Sequence, residues 1–441
     1  MRTAESKHHP RRGAAAGFTL VELLVTVIVV AEILLIAGLM FDVHNKTART
    51  QNQIADTQQS LRVAQREMVD TLRMAGRGGL RANLPPPGTG GVMPGLAVTL
   101  DDNVDAGTQI VDDEARTNVV PGTDVLRVRG VMGTPLYQLL SAGLGERNLR
   151  LTGPPGAEDN PSIADAGQVD VFSPGPSGSP QDLTPLLAAE AGDALIMVSP
   201  LSDGIYAVVA VSSVVVIEEP PAGFTGVTVS FQISGHDYDN AYWAFFGGPS
   251  LPSNLSSAAF VGLLEEHVFF VRETFAIPGD PGSDLMPKLA HVRVHPGTDV
   301  AVDGTGDDLA DNVLDLQVAL GFNSSLGAGG YRTADDPDLV IDETADGTND
   351  DWLFNGAADD PGAAPWFGPW SPLPGTPQPE LYYVRISTLA RTDGREFKYI
   401  SPPIDRIENR VYAEAMVPAE HDPERAYHRR MLRTVVDLRN L

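Results

Sequence analysis

Two patterns in this chain place side-chain oxygens at metal-binding spacing. Asp342-x-Thr344-x-Asp346-Gly347-x-x-Asp350 sets oxygens at positions 1, 3, 5 and 9 of a calcium-type loop, with glycine at the tight turn. Asp335, Asp336, Asp338 and Asp351 lie near enough in sequence to complete such a site. Asp303-x-Thr305-x-Asp307-x-x-x-Asp311 repeats the spacing without the central glycine. Position 12, a bidentate glutamate in an EF-hand, is Leu353 in the first pattern and Leu314 in the second. Two readings stay open: calcium sites, or Asp-rich surface turns whose carboxylates bond their own backbone.

Other reactive groups are sparse. His291, Arg293 and His295 alternate, so in a strand all three face one way. Zinc would need a third ligand, and no HExxH helix supplies one, so surface histidines are the expectation. His236-Asp237-Tyr238-Asp239-Asn240, with Tyr242 and Trp243 close by, reads as a packed turn ahead of a binding loop. There is no cysteine, which excludes disulfides, thiolate catalysis and Cys-type zinc. No GxSxG, P-loop or GxGxxG stands in a strand–helix setting, so no enzyme is expected. With 31 basic against 58 acidic residues, net −27, the chain is a poor partner for nucleic acid. Arg429, Arg430, Arg433 and Arg439 are expected to pair within the molecule.

The remaining carboxylate of interest is Glu22. It lies in Phe18–Phe41, a run of 24 residues in which only Thr19, Glu22, Thr26 and Glu32 are polar. As a helix this run reaches roughly 36 Å, enough to cross a hydrocarbon core of about 30 Å. An acid at that depth costs on the order of 3 kcal/mol unless partnered. Residues 1–17 are short and basic (Arg2, Lys7, Arg11, Arg12), which keeps this end cytoplasmic and sends the acidic remainder across the membrane. The small residues Ala14, Ala15, Ala16 and Gly17 precede the apolar run, whereas an ordinary secretory signal carries them after it.

Gly17-Phe18-Thr19-Leu20-Val21-Glu22-Leu23-Leu24 resembles the class III leader and first turn of type IV pilins and type II secretion pseudopilins. The resemblance implies cleavage between Gly17 and Phe18 by a prepilin peptidase, then N-methylation of Phe18. Glu22 becomes the fifth mature residue, the position those families reserve for glutamate. There it is expected to pair with the N-terminal amine of a neighbouring subunit. Three further stretches resemble PilW-type minor pilins: GDALIMVSPLSDGIYAVVAVSSV, LADNVLDLQVALGF and YHRRMLRTVVDLRNL. Glu32 departs from the pilin pattern. So does the absence of a proline between the leader and Pro85, which favours a minor subunit over the bulk fibre subunit. Some pseudopilins bind calcium in acidic loops, so the resemblance also bears on Asp342, Thr344, Asp346 and Asp350.

The elements that must position these groups follow from pattern. From Asp42 to Ala75 there is no Pro or Gly, and Ile54, Leu61, Ala64, Met68, Leu72 and Ala75 form a one-sided helical stripe. Gly76, Gly78 and Gly79 end it. Strands are expected at 124–132, 193–199, 205–217, 227–233, 268–277, 289–295, 313–322 and 381–390. Residues 141–192 and 355–380 read as long loops, and Ser256–Glu266 as a short helix.

The expected fold is α+β and pilin-like, a long N-terminal helix packed on an antiparallel β-rich head with long loops. Its divisions are a leader at 1–17, a helix at 18–75 with 18–41 in the membrane, and a head at 76–441 with acidic loops at 299–315 and 335–360. The resemblance implies a minor pilin that helps to initiate or cap a type IV pilus, with roles in adhesion and twitching motility. Alternatives are a minor pseudopilin and a helix-anchored adhesin or calcium-dependent binding module. The implied partners are the prepilin peptidase, other minor and major pilins, and an inner-membrane assembly platform. The implied location is the inner membrane with the head periplasmic, then the cell surface.

Overall fold

The computed structural model describes residues 19–80, 97–111, 116–139, 148–157, 160, 163–174, 180–199, 205–233, 258–275, 285–297, 300–302, 304–323, 352–353, 380–396, 399–408, 410–412 and 423–438. By contact it divides into two units, Met1–Ala55 and Asp56–Leu441.

One helix, α1 (Leu20–Leu72, 53 residues), opens the described chain. It contains a stretch long and apolar enough to cross a membrane, with mean hydropathy 2.8 and none of it buried. Its last third is amphipathic instead. Leu61, Ala64, Gln65, Met68, Thr71 and Leu72 are buried, a stripe at the three- and four-residue spacing of one helix face. Ile54 is only half-buried. The helix ends three residues before the expected Ala75, and residues 73–79 continue as tight turns. Gly78 takes φ +105°, and a Cβ there would meet Val131 at 2.8 Å, so this turn needs glycine.

The strands follow in chain order. They are β1 (Val98–Asp101), β2 (Gln109–Val111), β3 (Arg116–Asn118), β4 (Val125–Gly130), β5 (Tyr137–Gln138), β6 (Leu149–Thr152) and β7 (Ala166–Pro174). A four-residue helix α2 (Thr184–Leu187) precedes β8 (Ala194–Ser199), β9 (Ile205–Val216), β10 (Phe224–Gln232), β11 (Phe260–Leu263), β12 (Glu265–Phe275) and β13 (Leu285–Val294). Then come β14 (Asp307–Asp311), β15 (Val313–Asn323), β16 (Trp352–Leu353), β17 (Glu380–Arg391), β18 (Arg406–Ile407), β19 (Arg410–Val411) and β20 (Arg429–Asp437).

They form three main antiparallel sheets, ordered β1-β4-β12-β13-β14, β5-β11-β8-β9-β10-β7-β6 and β16-β15-β17-β20. All eight expected strands are present. Three expectations are corrected. The segment 141–192 is not loop throughout, because β6, β7 and α2 lie within it. Its strand β7 is masked in sequence by Gly167, Gln168 and Asp170 and is fixed by pairing along its whole length with β10. Ser256–Glu266 is not a helix: Phe260–Leu263 pairs with β8 on one side and β5 on the other. The acidic segment 299–315 contains β14 and the start of β15.

One core joins the stripe of α1 to all three sheets. Leu61, Met68 and Leu72 share it with Leu126, Val128 and Phe269 of the first sheet, Ile196 and Val208 of the second, and Leu316, Val318 and Ile386 of the third. Strand β8 is apolar on both faces because both are covered. Ala194 and Ile196 belong to this core, Leu195 and Met197 to a second core with Leu186 of α2.

Several polar groups inside this packing are paired. Gln65 Nε2 donates to Thr388 Oγ1 (2.9 Å) and Leu432 O (2.8 Å), and its Oε1 accepts from Thr434 Oγ1 (2.6 Å). On the opposite face of the first sheet, Arg129 forks onto Glu266 at 2.7 and 2.8 Å, both side chains almost fully buried. Glu266 also accepts from Gly297 N (2.7 Å). Burial pushes the Glu266 carboxyl up, but the charges of Arg129 and Arg127 with these hydrogen bonds outweigh it and hold it below the ordinary carboxylate range. Asp124 ties the first sheet to the third by accepting from Asn103 N and Val318 N. Burial and the charge of Asp102 raise its carboxyl well above the ordinary range.

Three outcomes are expected in urea melts of the detergent-solubilised chain. Gln65→Ala should cost about 1–3 kcal/mol by stranding buried partners, and Met68→Ala about 2–5 kcal/mol by leaving a cavity. Glu266→Gln, which leaves Arg129 buried without its counter-charge, should cost about 3–5 kcal/mol at neutral pH. Because the Glu266 carboxyl is depressed on folding, this contribution is present above its unfolded value of about 4.3 and is lost as pH falls through the folded value. The variant should therefore show a flatter acid limb than the parent.

Candidate functional sites at the helix start and in the β-rich unit

The helix begins on a capping box. Thr19 Oγ1 accepts from Glu22 N (3.3 Å), while Glu22 Oε2 accepts from Thr19 N and Thr19 Oγ1, both at 3.0 Å. Sequence reasoning treated Glu22 as a docking charge and missed this cap, whose signal is Thr19-x-x-Glu22 at the head of an apolar run. Glu22 is exposed, and its carboxylate is thus already hydrogen-bonded within its own first turn. Thr26 turns its hydroxyl back onto Glu22 O at 2.7 Å, which hides a polar group in the apolar run. Glu32 is exposed on the same helix. Gly17 and Phe18, the expected processing residues, lie outside the described residues.

The first calcium-type loop, with Asp342, Thr344, Asp346 and Asp350, lies outside the described residues, as does the loop His236–Trp243. In the second pattern Asp303 lies outside the described residues, and Asp307 to Asp311 form a strand. Asp307 and Asp311 sit at the two ends of β14, and Asp311 pairs with Lys288 at 3.2 Å. The Thr305 hydroxyl bonds Arg293 O (3.1 Å) and Val302 O (2.6 Å). Among the described residues, no group of three or more His, Asp or Glu side chains converges on a metal-binding point.

His291, Arg293 and His295 do not come together as a trio. His291 reaches across to β12, where its Nε2 lies 2.8 Å from His267 Nδ1. The ring centroids are 5.0 Å apart with planes inclined by 12°, so the rings meet edge to edge nearly in one plane, as an N–H···N bond requires. His267 Nε2 lies 3.3 Å from Glu265 Oε2, giving a chain Glu265–His267–His291. Glu265 also accepts from Gly133 N (2.9 Å) and pairs with Arg293 Nη1 (3.5 Å). Burial, then the nearby positive charges of His267 and Arg293, push the His291 imidazole down to about 4. Sequence reasoning missed His267 and Glu265. Their alternation along β12, in register with His291 and Arg293 of β13, is the signal that a known strand pairing would have exposed.

This cluster borders a cavity of about 320 Å³ between the first two sheets. Glu265, Arg293 and His295 line it on one side, Asp193 and the end of α2 on the other. Of the C-terminal arginines, Arg433 makes the expected ion pair and Arg429 is held by a backbone carbonyl, while Arg430 is exposed and Arg439 lies outside the described residues. Arg433 pairs with Glu408 at 3.1 Å, and Arg429 donates to Pro402 O at 2.7 Å. Glu408 also takes Arg385 and the Ser387 hydroxyl.

No family model, no curated protein and no solved structure matches this chain.

The His291 pair gives a pH signature. Its unfolded pKa is about 6.5, and the folded value is about 4. Between these values the unfolded chain binds the additional proton, so stability falls as pH drops through that window. His291→Gln should flatten that part of the stability–pH curve. Imidazole NMR should show His291 neutral at pH 5.5.

Proposed function

We propose that this chain is a minor pilin that helps to initiate or cap a type IV pilus, acting after cleavage between Gly17 and Phe18 and N-methylation of Phe18. The observation that carries the reading is the division of α1. One continuous helix is apolar and exposed through its membrane-length part, yet buried along Leu61, Ala64, Gln65, Met68 and Leu72. A helix of that kind can sit in a bilayer and later pack against other helices without disturbing the β-rich fold that holds its far end. Glu22 supplies the register. In low dielectric its carboxylate is stabilised by a cationic amine, and the free amine of a processed Phe18 on a neighbouring subunit meets that need. The Thr19 cap satisfies the same carboxylate until the partner arrives.

The closest competing machine is type II secretion, whose pseudopilins obey the same physics. Deletion of the chain should abolish piliation and leave protein secretion intact; the converse would assign it to secretion. Loss of neither, with reduced surface attachment, would favour the adhesin. Mass spectrometry should find a mature N-terminus at Phe18 carrying one methyl group. Glu22→Ala should still be processed but should fall at least tenfold in recovery with sheared fibres. Normal recovery would refute the docking role of Glu22.

A further inference from the structure

We propose that the cavity between the first two sheets is a binding site for a small organic carboxylate with a compact apolar body, anchored by Arg293. The site is independent of the pilus reading. It forms where β11 passes from the second sheet into β12 of the first, so Leu263, Leu264 and Glu265 cross its wall. Junctions between packed sheets are where small-molecule pockets form, and a volume of about 320 Å³ suits a compact ligand.

Arg293 is the anchor because its charge is in place and underused. Its side chain is 38 % exposed, and its one ion pair among the described residues, to Glu265, is 3.5 Å long and runs through Nη1. The fork geometry that suits a carboxylate is therefore still available. Glu265 meets Arg293 through Oε1 alone, because Gly133 N and His267 are both on its Oε2. Those contacts hold it as a strut that aims the arginine. His295, two residues along the same strand direction, lines the cavity beside it.

The other walls fix the rest of the ligand. Pro185, Ala188, Leu263, Val294 and Val302 are apolar and small or branched, which suits a short hydrocarbon body. Asp193, whose Oδ2 accepts from Glu190 N at 2.9 Å, faces the cavity with the opposite charge. It repels a carboxylate placed beside it and so orients the ligand with its acid at Arg293. It would also attract an ammonium group. The shared chemistry is thus a carboxylate on a branched hydrocarbon, from either a simple branched acid or a branched amino acid. Thr134 Oγ1 is enclosed in the same wall with no hydrogen-bond partner, a group that a bound oxygen would satisfy.

The test is calorimetric titration of the full chain in lipid nanodiscs with isovalerate, L-leucine and 3-methylbutan-1-ol. The two carboxylates should bind and the neutral alcohol should not. Leucine at least tenfold tighter than isovalerate would identify the amino acid as the ligand class, with Asp193→Asn erasing the difference. Equal affinity would identify the simple acid. Arg293→Gln should weaken carboxylate binding at least tenfold. Ala188→Phe, which adds bulk at the cavity wall and leaves its charges in place, should do the same, with thermal melts confirming that both variants fold. Absence of carboxylate binding, equal binding of the alcohol, or binding unchanged in folded Arg293→Gln would overturn the proposal.

Discussion

One helix has to be satisfied in two solvents, and the rest of the structure depends on how α1 does it. Its first part exposes leucine, isoleucine and valine all round, which only a bilayer or other helices can cover at low cost. Its last part turns one face to protein. There the hydrophobic effect holds Leu61, Met68 and Leu72 in the shared core. Gln65 adds direction. Three hydrogen bonds from one amide to β17 and β20 fix the rotation and depth of the helix, which apolar packing alone leaves less defined. The turns that follow are pinned in turn, with Gly76 N on Arg129 O and Val131 N on Arg77 O. A Cβ at Gly130 would lie 2.7 Å from Met74 O, so the close approach itself excludes a side chain.

An acidic chain of net −27 must also manage charge inside its folds. It does so by giving buried acids strong donors. Glu266 has Arg129 and Gly297, Glu408 has Arg385 and Arg433, and Asp315 has Arg410 and Tyr412. Basic residues are the scarce resource, and Arg129, Arg385, Arg410 and Arg433 are spent on such pairs. That scarcity gives Arg293 its interest, because it is held on a cavity wall by a weak contact while stronger donors serve the deeper acids. The same first sheet thus carries a structural ion pair on one face and the Glu265–His267–His291 chain on the other.

The amino-acid sequence by itself determined the elements whose driving force is local. The long apolar run, the amphipathic stripe, the glycine stop and eight strands each follow from periodicity, propensity or backbone freedom within a few residues. The Thr19–Glu22 cap is equally local, since it spans a single helical turn. Tertiary structure decided what depends on distant partners. Strand β7 is polar enough to pass for loop, and the strand at Phe260–Leu263 is short enough to pass for a helical turn, until β10, β8 and β5 supply their hydrogen bonds. Gln65 lies on the stripe by spacing, but its burial rests on Thr388, Leu432 and Thr434, more than 300 residues away. Glu265 and His267 became a cluster with His291 and Arg293 only through the register of β12 on β13. The reason is physical. Helical and turn preferences are paid out in local backbone and side-chain terms, whereas sheet pairing, ion-pair geometry and cavities arise only when segments far apart in the chain are brought within a few ångströms.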